Sequence, residues 1–409
     1  MRGTVAQRVL PLLTVVALLC AFTLPASAAE DVIRLGAVAP LSSPGSYQQG
    51  KQLLLGLQWA VDDLNEAGGL LGKRIELFVE DTQGKPPVGA TAVEKLISKN
   101  KVVGVAGEYH SSVCNAEIEV FHRYGIPFVI GSCWFDGLTA AGYPEVFRTS
   151  VYNSKQAENV VGIINEAGFK KVAALVEDTD YGVGIAENIK TIMQRTGATA
   201  TFTSDVVEKT SKDFVPILLK YKAKVKPDLL ITAVTQPGGF LLLKQAHEIG
   251  FAPSKNTLVL DATCTAQNAK IFWAALKGAG KYVMMACPYS SSVRVTALGN
   301  KVKARYVKEF GRQPNYLPLQ GYDAMYALGM AIKQADSTDS QKIIAALNNI
   351  KLKGTRGVIQ FGKEQGVWHN QWKEVPAFIF QYTAVNQSPA DARILYPPNF
   401  ANGPIARPQ

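Results

Sequence analysis

The sequence predicts an α/β protein of two lobes, each a mostly parallel sheet with helices on both faces. Short apolar runs alternate with amphipathic stretches in a βαβαβα order from Ile33 to Ile130. The same pattern restarts near Val160 and runs to Leu260. The chain has 409 residues, and some 380 remain behind an N-terminal export segment, which suits two domains of ~100–200 residues each.

The elements follow in order. Ile33–Val38 is an apolar strand, and a turn-rich loop (Pro40, Ser42, Ser43, Pro44, Gly45) follows it. Leu53, Leu54, Leu57, Ala60, Val61 and Leu64 recur at helical spacing until Gly68 and Gly69 stop them. Then come strand Ile75–Val79, helix Ala90–Lys99, strand Val102–Ala106, helix Ala116–Tyr124 and strand Pro127–Ile130. The second series has helices at Val160–Glu166, Gly184–Arg195, Phe214–Tyr221 and Phe240–Ile249. Its strands are Val172–Val176, Thr201–Val207, Leu229–Ala233 and Thr257–Leu260. A strand from Tyr282 precedes helices Ala297–Phe310, Pro318–Gln334 and Ser340–Ile350. Gly354–Thr383 reads as antiparallel edge strands, with Ala377–Tyr382 the clearest. Residues 388–409 carry five prolines and read as an irregular tail.

Residues 1–29 read as a cleavable signal peptide. Arg2 and Arg8 supply positive charge, Val9–Phe22 the apolar run, and Pro25, Ala26, Ser27 and Ala28 the break and small residues. The run is short for a membrane span of ~20 residues. Cys20 invites a lipid-anchor reading, but Leu18 and Leu19 stand where small residues are needed. The expected location is therefore outside the cytoplasm, where ATP and reduced nicotinamide are scarce.

The formal net charge is +10, or +8 without Arg2 and Arg8. The densest basic cluster is Lys209, Lys212, Lys220, Lys222, Lys224 and Lys226, bracketing Phe214–Leu219. It reads as the solvated face of an amphipathic helix. No aromatics interleave as a nucleic-acid surface requires, so no nucleic-acid partner is expected. Four cysteines follow the signal, and four allow three pairings. Cys114 and Cys133 follow consecutive strands, as do Cys264 and Cys287, which favours those two pairs and leaves the other arrangements open. No metal site is expected, since there is no CxxC, HxxxH or HExxH.

Open α/β sheets bind ligands at the carboxyl ends of their strands. The loops there are Pro40–Tyr47, Gly107–Ser112, Ser132–Asp136, Glu177–Gly182, Val234–Gly239 and Asp261–Thr265. They are rich in hydroxyls, aromatics and glycines and nearly free of Lys and Arg. That composition suits a small polar ligand gripped by neutral hydrogen bonds.

A run of motifs carries a resemblance. They are IRLGAVAPLSSPGSYQQG, AVDDLNEAGGLLGKRIELFVED, VVGVAGEYHSS, YGIPFVIGS, PEVFRTS, VEDTDYGVG, LKQAHEIGF, and GVIQFGKEQGVW before FIFQY. In this order the chain resembles the extracytoplasmic solute-binding proteins of the branched-chain amino acid type, which serve ABC importers. The resemblance implies two Rossmann-like lobes (the type I periplasmic binding protein fold) that close on a ligand. It places three crossings near Thr149–Tyr152, Val283–Ala286 and Lys353–Val358. Residues 30–150 plus 284–354 then form lobe 1, 151–283 plus 355–385 lobe 2, and 386–409 a tail. The strand pair within Val358–Tyr382 goes to lobe 2.

Ligand contacts carry over by position. Ser111 falls where the family holds the ligand carboxylate, and its helix start offers backbone N–H groups to an anion. Trp134 replaces a small hydroxyl residue that also holds the carboxylate. Tyr181 and Tyr47 match pocket tyrosines, and Thr235 and Gln236 lie in another pocket loop. Asp261 lies near the acidic position that pairs with an α-ammonium. His110 stands where relatives often have cysteine, so a familiar disulfide is missing. Tyr109, Glu108 and Cys133 flank these positions. The implied activity is capture of an amino-acid-like solute of branched-chain type by cleft closure, without cofactor. The implied partners are the permease subunits of an inner-membrane ABC importer, and a monomer is the default state. Trp134, Tyr109 and His110 favour an alternative, an aromatic acid or an amide or urea. A sensor without transport is a third reading. Ser111, His110 and Asp261 hold the atoms of a hydrolase triad, but adjacent Ser and His on one loop rarely face each other. There is also no GxSxG, so an enzyme is not expected.

Overall fold

The computed structural model describes residues 1–4, 32–265 and 269–409. Residues 5–29 of the expected signal peptide, Cys20 among them, lie outside the described residues. Among the described residues no helix is long and apolar enough to cross a membrane.

The first sheet has five parallel strands in the order β2-β1-β3-β4-β5: β1 Ile33–Ala39, β2 Ile75–Asp81, β3 Val105–Gly107, β4 Phe128–Ile130 and β5 Val146–Arg148. Its early helices are α1 Tyr47–Glu66, α2 Pro86–Ser98, α3 Ser111–Tyr124 and the short α4 Gly137–Ala140. Most of β1 and all of β3, β4 and β5 are buried, as expected of parallel strands covered on both faces.

After β5 the chain passes to α5 Asn153–Ala167, β6 Lys171–Glu177, α6 Asp180–Thr196, β7 Thr201–Val207, α7 Val215–Lys220 with a following π-helical turn, β8 Leu229–Ala233, α8 Gly238–Glu248, β9 Leu258–Asp261, α9 Ala269–Leu276 and β10 Met284–Cys287. It then forms α10 Ala297–Phe310, α11 Tyr316–Ala335, α12 Ser340–Asn349, a two-stranded ribbon of β11 Leu352–Lys353 and β12 Val358–Ile359, then β13 Phe378–Gln381 and β14 Arg393–Tyr396. The second sheet runs β14-β13-β10-β9-β8-β6-β7, parallel except at β13 and β14. β6 and β8 are buried almost throughout, while β7 at the edge is largely exposed and carries Thr, Ser and Asp.

α11 belongs with the first sheet because it packs along α1. Gly56 and Gly321 set that approach: a Cβ on Gly56 would lie 2.1 Å from the Pro318 carbonyl oxygen, and one on Gly321 2.2 Å from that of Leu53. The helices therefore meet backbone to backbone.

The structure corrects four expectations. β10 pairs with β9 and β13 in the second sheet, so the middle crossing follows Cys287 instead of spanning Val283–Ala286. Residues 361–372 are not wholly second-lobe. Gln371 bridges to Arg148 on β5, the Trp372 N–H donates to the Arg148 carbonyl at 3.0 Å, and Phe361 packs on Phe147 at 5.0 Å. The tail holds a real strand, β14, because Ile394 and Leu395 bury against β13. The lysine cluster is not one helix face: Lys209 precedes α7 in the loop after β7 and turns inward. Disulfides join Cys114 to Cys133 and Cys264 to Cys287, each linking segments that follow two strands of one sheet or end one.

Candidate functional site

A cavity of about 260 Å³ lies among loops at the carboxyl ends of both sheets. The first sheet contributes Tyr109 and His110 after β3, Ser111, Ser112 and Val113 at the start of α3, and Ser132 and Trp134 after β4. The second contributes Glu177 at the end of β6, Asp178 and Thr179 after it, Tyr181 on α6, Lys209 after β7, Thr235 after β8 and Thr263 after β9. Gly84 after β2, Pro86 at the start of α2 and Tyr316 at the start of α11 complete the wall.

The loop after β3 is set by close backbone packing. Gly107 has φ +142°, and a Cβ there would lie 2.1 Å from the Val38 carbonyl oxygen. The chain turns sharply and places His110 just ahead of α3, with no side-chain cap. Among the described residues the Ser111 and Ser112 N–H groups make no hydrogen bond, so the helix start presents two donors to the cavity. The Ser111 hydroxyl oxygen accepts from the Trp134 and Phe135 N–H groups at 3.1 and 3.2 Å, tying the loop after β4 to α3. Ser111 is thus an organiser of the wall, with its hydroxyl hydrogen left to donate.

Two further donors belong to residues of the wall. The Ser132 hydroxyl and Trp134 Nε1 are buried, 2% and 5% exposed by residue, and have no partner. Trp134 packs edge-on to Tyr181 at 5.7 Å and tilted against Tyr316 at 5.8 Å. The Tyr181 hydroxyl donates to the Ala262 carbonyl at 2.8 Å. Tyr109 and Tyr316 share a hydroxyl hydrogen bond. Burial holds the Tyr109, Tyr181 and Tyr316 hydroxyls above their usual pKa, so they stay neutral.

The predicted ammonium partner is not at the wall. Asp261 accepts four hydrogen bonds within its own turn, from the N–H and hydroxyl of Thr263 (2.9 and 2.6 Å) and of Thr265 (2.8 and 2.7 Å). Those bonds fill a carboxylate's acceptor sites. Glu177 does line the cavity. One oxygen accepts from the Thr235 N–H and hydroxyl at 2.7 Å each, the other only from the Thr179 hydroxyl at 2.8 Å. That second oxygen keeps a free acceptor site.

Other expected contacts also move. Tyr47 is 41% exposed, with the Lys51 amine 5.5 Å from its ring, and does not line the cavity. Cys133 is taken up in its disulfide. Thr235 lines the wall, but Gln236 bridges the two halves beside it. Its carbonyl accepts from the Ser46 hydroxyl at 3.0 Å, and its side-chain oxygen from Gln49 Nε2 at 2.5 Å. Ser112 adds a similar bridge, accepting from the Asp180 N–H at 3.1 Å. Ser111, His110 and Asp261 form no triad, since each is bonded elsewhere: His110 Nε2 accepts from the Ser46 N–H at 3.1 Å and Nδ1 faces Lys209 Nζ at 3.1 Å.

Glu108, fully buried, accepts from the Thr82 hydroxyl and the His110 N–H, and burial pushes its carboxyl up to about 7. Glu117 on α3 has neither oxygen bonded, and burial beside Glu108 raises its carboxyl well above the ordinary 4.5. A carboxyl raised by folding contributes stability that is complete below its unfolded pKa and is lost as pH rises through the folded value. Glu117→Gln is therefore expected to stabilise the protein near about pH 8 and to change little near about pH 4. Urea unfolding at the two pH values checks this, and an equal shift at both would contradict it.

Of the wall residues, Glu177, Lys209, Ser132, Thr263 and Tyr316 were not singled out from sequence. Glu177 ends a strand just before DYGVG, and Asp261-x-Thr-x-Thr is a pattern by which an Asp bonds its own turn. Lys209 was masked by its lysine-rich surroundings. Tyr316 carries no local signal beyond Asn315, whose side chain caps α11 at Leu317 N–H.

Residues 32–382 match the family described as periplasmic binding protein. The Leu/Ile/Val-binding protein BraC3 of Rhizobium johnstonii is 30% identical over 237 residues, covering 58% of this chain and 64% of that protein, just under two thirds of its length. Leu/Ile/Val-binding protein homolog 3 of Brucella melitensis is 27% identical, covering 78% and 84%. The branched-chain amino acid transporter substrate binding protein LivJ of Streptococcus pneumoniae, solved with isoleucine, superposes with a TM-score of 0.76. It is 21% identical and covers 90% of this chain and 100% of that one. With a match over most of its length, the chain belongs to the periplasmic binding protein family, which places it outside the cytoplasm.

Proposed function

We propose that the chain is the solute receptor of an ABC importer, capturing a small amino-acid-like carboxylate of the branched-chain type. The observation that carries this is the start of α3. Its two free N–H groups stand at an aromatic-walled cavity between the loops of two sheets, and the unpartnered Ser132 hydroxyl and Trp134 indole N–H belong to residues of the same wall. Donors at the helix start, with unpartnered donors on neighbouring wall residues, fit a carboxylate, and the aromatic walls fit an apolar remainder. Glu177, in place of Asp261, supplies the acceptor for an α-ammonium, whose burial without one would be costly. The names of the relatives agree with this reading.

Mechanistically, the two sheets are the cores of two halves joined by three crossings. Closure adds the second half's contacts to a solute already held at α3 and shifts the open–closed balance. The mature protein starts near Ala29 in the periplasm, acts as a monomer and presents the solute to membrane permease subunits. No cofactor and no covalent step is involved.

Asp261's full commitment favours a second reading, a carboxylate without an ammonium, such as an aromatic acid. A thermal-shift screen of refolded, ligand-stripped protein separates the two. A ligand at about 100 times its Kd adds about 2.7 kcal/mol. Stabilisation by Leu, Ile or Val that Glu177→Gln abolishes supports the amino acid. Stabilisation by ring-bearing acids alone supports the second reading, and no response to any carboxylate would refute both.

A further inference from the structure

We propose that Lys209 closes the cleft onto the same carboxylate that the start of α3 holds, so that the acid group is what both halves grip. This rests on the reading above that a small carboxylate occupies the cavity. Lys209 belongs to the second sheet's loops, following β7, and its backbone N–H donates to Asp178 Oδ1 at 2.7 Å, which pins the loop. Its ammonium lines the cavity 3.1 Å from Nδ1 of His110, the residue just ahead of α3. The lysine thus reaches the anion-binding end of the site from the opposite half.

That contact leaves Lys209 without an acceptor. The Ser46 N–H donates to His110 Nε2 at 3.1 Å, so Nε2 carries the lone pair. A neutral ring then bears its proton on Nδ1, the atom that faces the ammonium. Burial and Lys209 both hold the imidazole well below its usual pKa, so the ring is neutral. Donor faces donor. Among the described residues no other side chain accepts from the Lys209 ammonium. Glu177, Glu108 and Asp178 oppose the effect of burial on its charge without bonding it. An oxyanion beside the Ser111 and Ser112 N–H groups would supply the missing acceptor, and a charged donor holds a carboxylate more strongly than a neutral one.

The chemical class follows. Contact from both halves through the acid makes the carboxylate obligatory and the α-amino group secondary. The expected solutes are small apolar acids, with or without an amino group. Isothermal titration of ligand-stripped full-length receptor tests this with L-leucine, 4-methylpentanoate, benzoate and L-leucinamide, using wild type, Lys209→Met and Lys209→Arg. Expected is binding of at least one acid and none of leucinamide. Affinity for that acid falls about tenfold or more in Lys209→Met and is largely kept in Lys209→Arg, with ligand-free melting unchanged. Lys209→Met binding the acid within about twofold of wild type would overturn the inference and leave the receptor reading intact. Leucinamide binding as tightly as leucine would also overturn it. Binding of no acid by wild type would overturn the receptor reading and the inference with it.

Discussion

Asp323→Ala is expected to destabilise the fold by about 3–5 kcal/mol, because it strands a buried guanidinium. Asp323 on α11 is 0% exposed and accepts from Arg356 Nε at 3.0 Å and from the N–H and hydroxyl of Thr355 at 2.5 and 2.9 Å. Arg356 in turn donates to the Thr149 carbonyl at 2.9 Å, so the cluster ties the segment after β5 to the turn between β11 and β12. Burial raises the Asp323 carboxyl and Arg356 lowers it, so its charge depends on its partner. The two single mutants should therefore differ. After Arg356→Met the lone carboxyl can take up a proton, whereas after Asp323→Ala the guanidinium cannot shed one. Asp323→Ala should be the more damaging, and replacing both by apolar residues of similar volume should recover much of the loss. Urea denaturation of the three variants checks this. Additive losses in the double mutant would show that the pair is not coupled.

Trp134→Ala is the second large effect, about 3–5 kcal/mol of stability together with ligand binding. The ring is 5% exposed and packs against Tyr181 and Tyr316, which sit on elements of different parts of the chain, so its removal opens the wall between them. Trp134→Phe isolates the indole N–H. It keeps an aromatic body, costs under about 1.5 kcal/mol of stability, and should weaken the bound acid about tenfold by deleting one donor. Equal affinity in Trp134→Phe would mean that the N–H points to solvent or protein in the complex and that Trp134 serves shape alone.

The main architecture was readable because it follows from periodicity. Ala297–Phe310 came out residue for residue, and Thr201–Val207 and Leu229–Ala233 likewise, since each shows a clear run between breakers. Elements defined by partners were not readable. β5 has three residues and no alternation, and β14 sits among prolines and exists because β13 offers an edge. α9 went unseen although its apolar residues Phe272, Trp273 and Leu276 are buried. At the site, Ser111, Trp134, Tyr181, Tyr109, His110 and Thr235 do reach one cavity, as loop position suggested. Asp261 and Tyr47 do not, because a residue's distance from a strand end does not reveal which neighbours have already taken its hydrogen bonds. Lys209 shows the converse. Side-chain length let a surface-like residue reach inward, and composition alone carries no sign of direction.

The bridges through Gln236 have a kinetic meaning. Ser46 and Gln49 from one half hold the carbonyl and amide of Gln236 from the other, and neither bond includes solute. Under the proposed closure, their energy belongs to the shut conformation whatever is trapped inside. Breaking them is part of every escape event, so they lengthen the residence time of any captured molecule alike. Selectivity would then be set at entry and at the cavity wall, while the dwell before hand-over to the membrane would be tuned at a place the cargo never touches.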